Sequence, residues 1–371
     1  MSEPLRVAVV GCGFISDIYF QNLLTFASVR VVACADLDSQ RAQAAASTYG
    51  VALVLTPEQV YAHPDIDLIL NLTVPAAHAQ VSLAALKGGK HVYNEKPLAL
   101  ALTDAQEMTR LAAENKLRIG CAPDTVLGAG LQTCRALIDS GVIGEPIAAT
   151  AFMANHGHES WHPQPDFYYQ PGAGPLFDMG PYYLTALVHL IGPVVRVSAM
   201  ARASFAQRTI VSQPRSGQMI TVNTPTHLAG QLAFENGAIG TLITSFDIWG
   251  SHLPLLEIHG THGSLSLPDP NTFGGPVRLR RGDQDWEDVP VTRPYAENAR
   301  GLGVAQLAQA LAEGRPHLAS GEMALHVLEV MHAILSAAGQ GREVQVHSRP
   351  PRPDPLSALP LPSRVAEVVH D

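Results

Sequence analysis

Residues 5–122 alternate between two kinds of segment. Short apolar runs (LRVAVVG, VRVVACAD, IDLILNLTVP, KHVYNEKP and KLRIGCAP) are separated by stretches of helical periodicity at Ile18–Ala27, Ser39–Tyr49, Ala77–Lys87 and Thr103–Asn115. Parallel strands need a long crossover between them, and a helix is the usual one. Strict strand–helix alternation therefore predicts a parallel sheet with helices on both faces. Strands buried on both faces read as continuous apolar runs, as these do. Thr103, followed by Glu107, is expected to cap the last of these helices, and Gly88-Gly89 to close the helix before it.

After Pro123 the pattern changes. A helix at Leu131–Ser140 leads to the strand IAATAFMAN, then to an irregular segment from Asn155 to Gly174, then to a helix from about Asp178 to Ile191. Long β-segments follow without intervening helices, and Asn236-Gly237 between two of them signals a hairpin. The expected fold is α/β: an N-terminal doubly wound Rossmann domain over 1–122, then an α+β domain over 123–345. The second domain carries a large, mostly antiparallel open sheet with helices on one face. Further helices are expected at Gly303–Ala312 and Gly321–Ala338, and the proline-rich stretch 346–371 as an extended arm.

The 371 residues suit two domains better than one. A formal net charge of -9, without a Lys/Arg stripe, argues against a nucleic-acid partner. No apolar run approaches the ~18–20 residues of a membrane span. The apolar run in MSEPLRVAVV is too short for a signal-peptide core and reads as a first strand. Cys12, Cys34, Cys121 and Cys134 have no CxxC or framework spacing and are expected reduced, in a cytoplasmic protein.

The loop GCGFIS, Gly11–Ser16, follows the first strand and opens a helix, the context a dinucleotide fingerprint requires. Gly11 allows the tight turn and Gly13 close approach to a pyrophosphate, with Phe14 and Ile15 leading into the helix N-terminus. Ser16 takes the third glycine's place and is small enough for the helix to pack. Asp36 ends the second strand, near the offset of the acid that binds the adenine ribose. Its carboxylate would repel a 2′-phosphate, favouring NAD over NADP, although Arg41 could reach such a phosphate. Thr73, Pro75 and His78 lie at the carboxyl edge of the third run, where a dinucleotide lies. His78 could equally be a plain first-turn residue. Lys96 stands between a carboxylate and a proline where the fourth run ends, and those four letters, NEKP, also fit a surface salt bridge at a turn.

Together GCGFIS, Asp36, LTVPAAH and NEKPLA resemble the Gfo/Idh/MocA family of NAD(P)-dependent oxidoreductases, named for glucose–fructose oxidoreductase and inositol dehydrogenase. So does GAGPLFDMGPYYLTALVHLIG, in which Asp178 is followed four residues on by Tyr182. The resemblance covers roughly residues 5–345. It implies that Lys96 reaches the nicotinamide ribose and the oxygen being oxidised, that Glu95 lies beside the cofactor, and that the Lys96–Pro97 peptide is cis. It also implies a homodimer or homotetramer.

Asp178 and Tyr182 share one helical face. Pro181 lacks an N–H, so a place in the first turn is expected, putting both residues at the helix N-terminus. Tyr182 is the expected acid/base, aided by Lys96. His156, His158 and His162 invite a metal reading, but no acidic partner set accompanies them and no metal is expected. With Trp161 they are instead substrate candidates, since imidazole and indole suit sugar hydroxyls and C–H faces. Asp124 is expected to face the same substrate. The expected activity is hydride transfer between nicotinamide and a secondary alcohol or ketone of a sugar, polyol or glycoside. The alternatives are an NAD-dependent glycosidase working by transient oxidation and a non-catalytic sugar or dinucleotide sensor.

Overall fold

The computed structural model describes residues 3–364. They form two compact units, one of residues 3–128, 297–325 and 356–364, the other of residues 129–296 and 326–355.

In chain order the first unit contains β1 (Leu5–Val10), α1 (Ser16–Leu23), β2 (Val29–Ala35), α2 (Ser39–Tyr49), β3 (Leu53–Val54) and α3 (Pro57–Ala62). It continues with β4 (Leu68–Asn71), α4 (His78–Lys87), β5 (His91–Asn94), α5 (Leu102–Glu114) and β6 (Ile119–Cys121). The six strands are all parallel, in the order β3-β2-β1-β4-β5-β6. The chain winds one way from β1 and then the other, so the carboxyl ends of β1 and β4 flank the topological switch point. The loops after β1, β2, β4 and β5 all open on that edge. The sequence reading missed β3 and α3. A two-residue strand carries no periodicity, but α3 is announced by a capping box, Thr56 with Gln59. At α5 the expected Thr103 cap is replaced by Ala101, which makes no side-chain cap bond; Thr103 lies inside the helix.

The second unit opens with α6 (Ala129–Asp139), β7 (Pro146–Ala154), α7 (Gly174–Leu190), β8 (Val194–Arg202), β9 (Gln207–Thr209) and β10 (Met219–Thr221). Next come β11 (His227–Phe234), β12 (Ile239–Ser245), β13 (Leu256–Gly260), β14 (Gly263–Ser266), β15 (Val277–Arg281) and β16 (Glu287–Val289). The chain ends with α8 (Leu302–Ala312) in the first unit, α9 (Gly321–Gln340), and β17 (Val344–Gln345) in the second. Nine strands form one sheet, ordered β16-β15-β14-β13-β7-β12-β11-β8-β17. Every pair is antiparallel except β7 with β12. Gly237, at φ 90°, makes the β11–β12 turn that Asn236-Gly237 foretold. One face of the sheet is buried, through Ala149, Ala151, Leu228, Leu232 and Leu242, and α7 packs against β7 and β12. The other face carries the cross-strand row Met200, Ala229, Ile243 and Phe152.

The start of α7 corrects an expectation. The helix begins at Gly174, and Pro175 is the proline of its first turn. Pro181 lies inside the helix, where it cannot donate to the carbonyl of Phe177. Asp178 and Tyr182 therefore stand one and two turns in, and the N-terminal dipole is not what acts on them. In the first unit, residues 356–364 run beside the segment after α1: the Ala27 N–H donates to Pro362 O at 3.0 Å and the Arg364 N–H to Thr25 O at 2.9 Å. Residues 365–371 of the expected arm lie outside the described residues. Among the described residues no helix is long and apolar enough to cross a membrane.

Candidate active site

The loop after β1 is built by two glycines with different jobs. Gly11 has φ +98°, and a Cβ there would sit 2.7 Å from the Leu72 carbonyl carbon, so only glycine fits. A Cβ on Gly13 would meet nothing within 4 Å. No protein atom therefore explains glycine at position 13; an open approach to the backbone, the space a pyrophosphate needs, does. Phe14 is 98% exposed and Ile15 half-buried, while Ser16 is buried and its Oγ donates to Gly13 O at 2.7 Å. Serine thus braces the loop from below. Asp36 braces it from the side: Oδ2 accepts the Cys12 N–H at 2.7 Å and Oδ1 the Asp38 N–H at 2.9 Å. Each carboxylate oxygen has a second lone pair for a ribose hydroxyl. Arg41 pairs with Asp38 at 3.4 Å, across one helical turn. This loop and its carboxylate fit a dinucleotide.

The turn after β5 is held from beneath by a buried polar cluster. Asn71 and Asn94 end β4 and β5 in register, both fully buried, and Asn71 Nδ2 donates to Asn94 Oδ1 at 2.7 Å. Thr73 donates from Oγ1 to Asn71 Oδ1 at 2.6 Å. His78, fully buried, has Nδ1 2.6 Å from Pro97 O and Nε2 3.0 Å from Thr73 O. Burial lowers its pKa, against those two carbonyls. Its place is thus a clasp between the β4 and β5 loops, whereas Pro75 is exposed. Glu95 accepts from Tyr19 Oη at 2.8 Å and from the Lys96 N–H at 2.7 Å. Lys96 is half-buried and its peptide bond to Pro97 is cis.

In the second unit the segment after β7 folds around Arg208. Its side chain, 4% exposed, bonds Glu159, Asp247 Oδ1 at 2.7 Å, and the carbonyls of Phe246 and His156 at 2.9 and 2.8 Å. Tyr169 Oη and Thr226 Oγ1 donate to the remaining oxygens of Glu159 and Asp247. One cation between two carboxylates is tolerable in the interior because hydroxyl donors complete the set. On this frame sit the four sequence candidates. His158 is 7% exposed, with Nε2 3.0 Å from Asp178 Oδ2. His156 stacks on Trp249 with centroids 3.3 Å apart. Trp161, 60% exposed, lies edge-on to His158 and to His162. His162 accepts the Gln164 N–H at Nδ1, 3.0 Å away. Burial lowers the pKa of both His156 and His162. Tyr182, 8% exposed, follows Asp178 on α7. Among the described residues no group of three or more His, Cys, Asp or Glu could hold a metal ion.

Residues 5–122 match the family profile described as "Oxidoreductase family, NAD-binding Rossmann fold", and residues 131–266 match the GFO/IDH/MocA C-terminal domain. The chain belongs to the Gfo/Idh/MocA oxidoreductase family. It is 30% identical over 250 residues to D-glucoside 3-dehydrogenase of Escherichia coli (strain K12), spanning 66% of this chain and 71% of that one. It is 26% identical over 352 residues to 1,5-anhydro-D-fructose reductase of Ensifer adhaerens, spanning 92% and 99%. In fold it resembles the solved structure of levoglucosan dehydrogenase in complex with NADH and levoglucosan, with a TM-score of 0.78 and 21% identity over 92% of this chain and 99% of that one. The protein is thus an oxidoreductase with an NAD-binding Rossmann fold, among relatives that act on sugars.

For this family member the sequence reading did not foresee several supporting residues. Asn71 and Asn94 are ordinary letters in apolar runs and Tyr19 an ordinary letter in a helix; only two asparagines ending neighbouring strands hinted at a buried pair. Arg208, Asp247 and Trp249 lie far along the chain from the segment they support. Asp124, expected to face a substrate, is 1% exposed; its Oδ2 accepts the N–H groups of Gly301 and Gly303 at 2.8 and 3.1 Å. It caps α8, as the free N–H groups of a helix start require.

Proposed function

We propose that this oxidoreductase oxidises a secondary hydroxyl of a sugar, polyol or glycoside, reversibly, with NAD as the preferred cofactor. The observation that carries the sugar reading is the contact of His158 with Asp178, which joins a carboxylate to the segment bearing His156, Trp161 and His162, with Trp249 stacked on His156. A carboxylate bonds hydroxyls, and aromatic faces pack on ring C–H groups. The D-glucoside and anhydrofructose relatives support the same class.

Bound NAD supplies the hydride acceptor. Gly11, Gly13, Phe14, Ile15, Asp36, Thr73 and Glu95 would hold it; Asp36 favours NAD because a 2′-phosphate beside a carboxylate is repelled. Lys96 would stabilise the alkoxide that forms as the hydroxyl proton leaves. Tyr182 would take that proton. Asp178 would hold a neighbouring hydroxyl and so select which carbon reacts. The open sheet face, with Phe152 and Ile243 in one row and Ile239 60% exposed, is apolar enough to pair with a second copy, giving a homo-oligomer.

The test is a panel of methyl D-glucosides, levoglucosan, D-glucose and myo-inositol with NAD, and of 1,5-anhydro-D-fructose with NADH, read at the absorbance of the reduced cofactor. Turnover of at least one member is expected. Release of free sugar from a glycoside without net NADH would mean that transient oxidation cleaves the substrate. Tight NAD binding with no turnover across the panel would overturn the sugar dehydrogenase reading.

A further inference from the structure

His158 stands apart from the other imidazoles of its segment. Its ring is wedged edge-on to Trp161 and Tyr168, with centroids 5.2 and 4.0 Å away, and tilted against Phe246 at 4.7 Å. Its backbone N–H donates to Tyr169 Oη at 3.3 Å, tying it to the Arg208–Glu159 frame. Nε2 lies 3.0 Å from Asp178 Oδ2, whereas Nδ1 is buried without a hydrogen-bond partner. A carboxylate oxygen accepts, so Nε2 must carry the proton. A second proton on Nδ1 would bury an N–H among aromatic rings with nothing to receive it, which costs more than leaving a lone pair there. The ring is therefore a single donor, aimed at one oxygen of one carboxylate, and has no nitrogen left for a sugar hydroxyl.

We propose that His158 is the positioning residue of Asp178, not a substrate ligand or a proton acceptor. The Nε2–H bond fixes the plane of the carboxylate, so a substrate hydroxyl meets an acceptor of set direction. The aromatic cage fixes the ring, and the buried Arg208 frame fixes the cage. This rests on the role given above to Asp178 but does not depend on which sugar is bound.

Two measurements test it. In ¹⁵N-histidine NMR of the intact protein, with His158→Gln giving the assignment, the His158 ring is expected in the Nε2–H form, and Asp178→Asn should shift its signals. A proton on Nδ1, or signals indifferent to Asp178→Asn, would overturn the proposal whether or not a substrate is known. The second measurement is turnover of the panel sugar with the highest kcat/KM. His158→Phe fills the cage without a donor and should lower kcat/KM by about 10–100-fold, a loss typical of misplacing a reacting group. His158→Gln presents an amide donor near the Nε2 position and should recover about tenfold of that loss. The double variant His158→Phe, Asp178→Asn should be no worse than Asp178→Asn alone, because the imidazole acts only through the carboxylate. If His158→Phe matches the parent while Asp178→Asn is inactive, the positioning role fails and the role of Asp178 stands. If Asp178→Asn itself keeps full turnover, it is the earlier reading of Asp178 that fails. If His158→Gln is folded and as poor as His158→Phe, the imidazole does chemistry of its own and the proposal is wrong. Should His158→Phe not fold, the NMR form and the Gln variant still decide.

Discussion

Replacing Asp124 by asparagine should flatten part of the pH dependence of stability. The Asp124 carboxyl is buried beneath α8, and burial pushes its pKa up to about 6, against the Gly303 and Gly301 N–H bonds, which pull it down. When unfolded it should titrate near 3.8. A folded-state pKa above the unfolded one means that the native state binds the proton more tightly. The stability this brings is fully present below about pH 3.8 and is lost as the pH rises through about 6. The full difference corresponds to about 3 kcal/mol, of which about 1.3 kcal/mol falls between pH 5 and pH 7. Asparagine keeps a carbonyl for the two glycine N–H groups and cannot ionise. Urea unfolding of parent and Asp124→Asn at pH 5, 6 and 7 should therefore show the parent losing about 1.3 kcal/mol relative to the variant across that range. A constant difference, or one moving in the parent's favour, would show that the two N–H bonds outweigh burial. The same variant should keep its substrate KM within about threefold, as expected for a residue that acts on stability alone. A tenfold rise in KM would return Asp124 to the substrate.

Gly13→Ala should fold with an unchanged thermal midpoint, since its Cβ meets no protein atom, yet weaken NAD binding by titration; Gly11→Ala should be destabilised outright by the Leu72 backbone. Asp36→Ala should narrow the preference for NAD over NADP in parallel titrations, and tighter binding of NADP by the parent would show that Arg41 dominates. Tyr182→Phe should keep fold and NAD binding while slowing the chemical step by about 10²–10⁴-fold; turnover within threefold of the parent would leave Tyr182 as packing. If the open sheet face pairs with a second copy as proposed, Ile243→Lys in that face should lower the mass seen by light scattering to that of a monomer, and a parent already monomeric at micromolar concentration would refute the pairing of that face.

The alternation of residues 5–122 determined a parallel sheet covered by helices, because apolar parallel strands joined by helical crossovers are buried on both faces that way. The tight turn at Gly11 follows from local backbone demands, and so could be read in sequence, as could the expectation that Gly13 and Asp36 face a dinucleotide. Asn236-Gly237 did the same for the hairpin between β11 and β12. Local reasoning failed where two residues competed for one job. Pro175 and Pro181 both suit a first turn, and the structure starts the helix at Gly174, with Pro175 in that turn and Pro181 inside. It failed also where a contact spans a long stretch of chain. Asp124 looked available until the return of residues 297–325 placed two unpaired helix N–H groups beside it. The hydrogen-bond partners of His78, His158 and Arg208 likewise come from what surrounds them, since an imidazole or a guanidinium bonds the acceptors within about 3 Å of its nitrogens. Those acceptors come from distant segments, and tertiary structure alone brings them there.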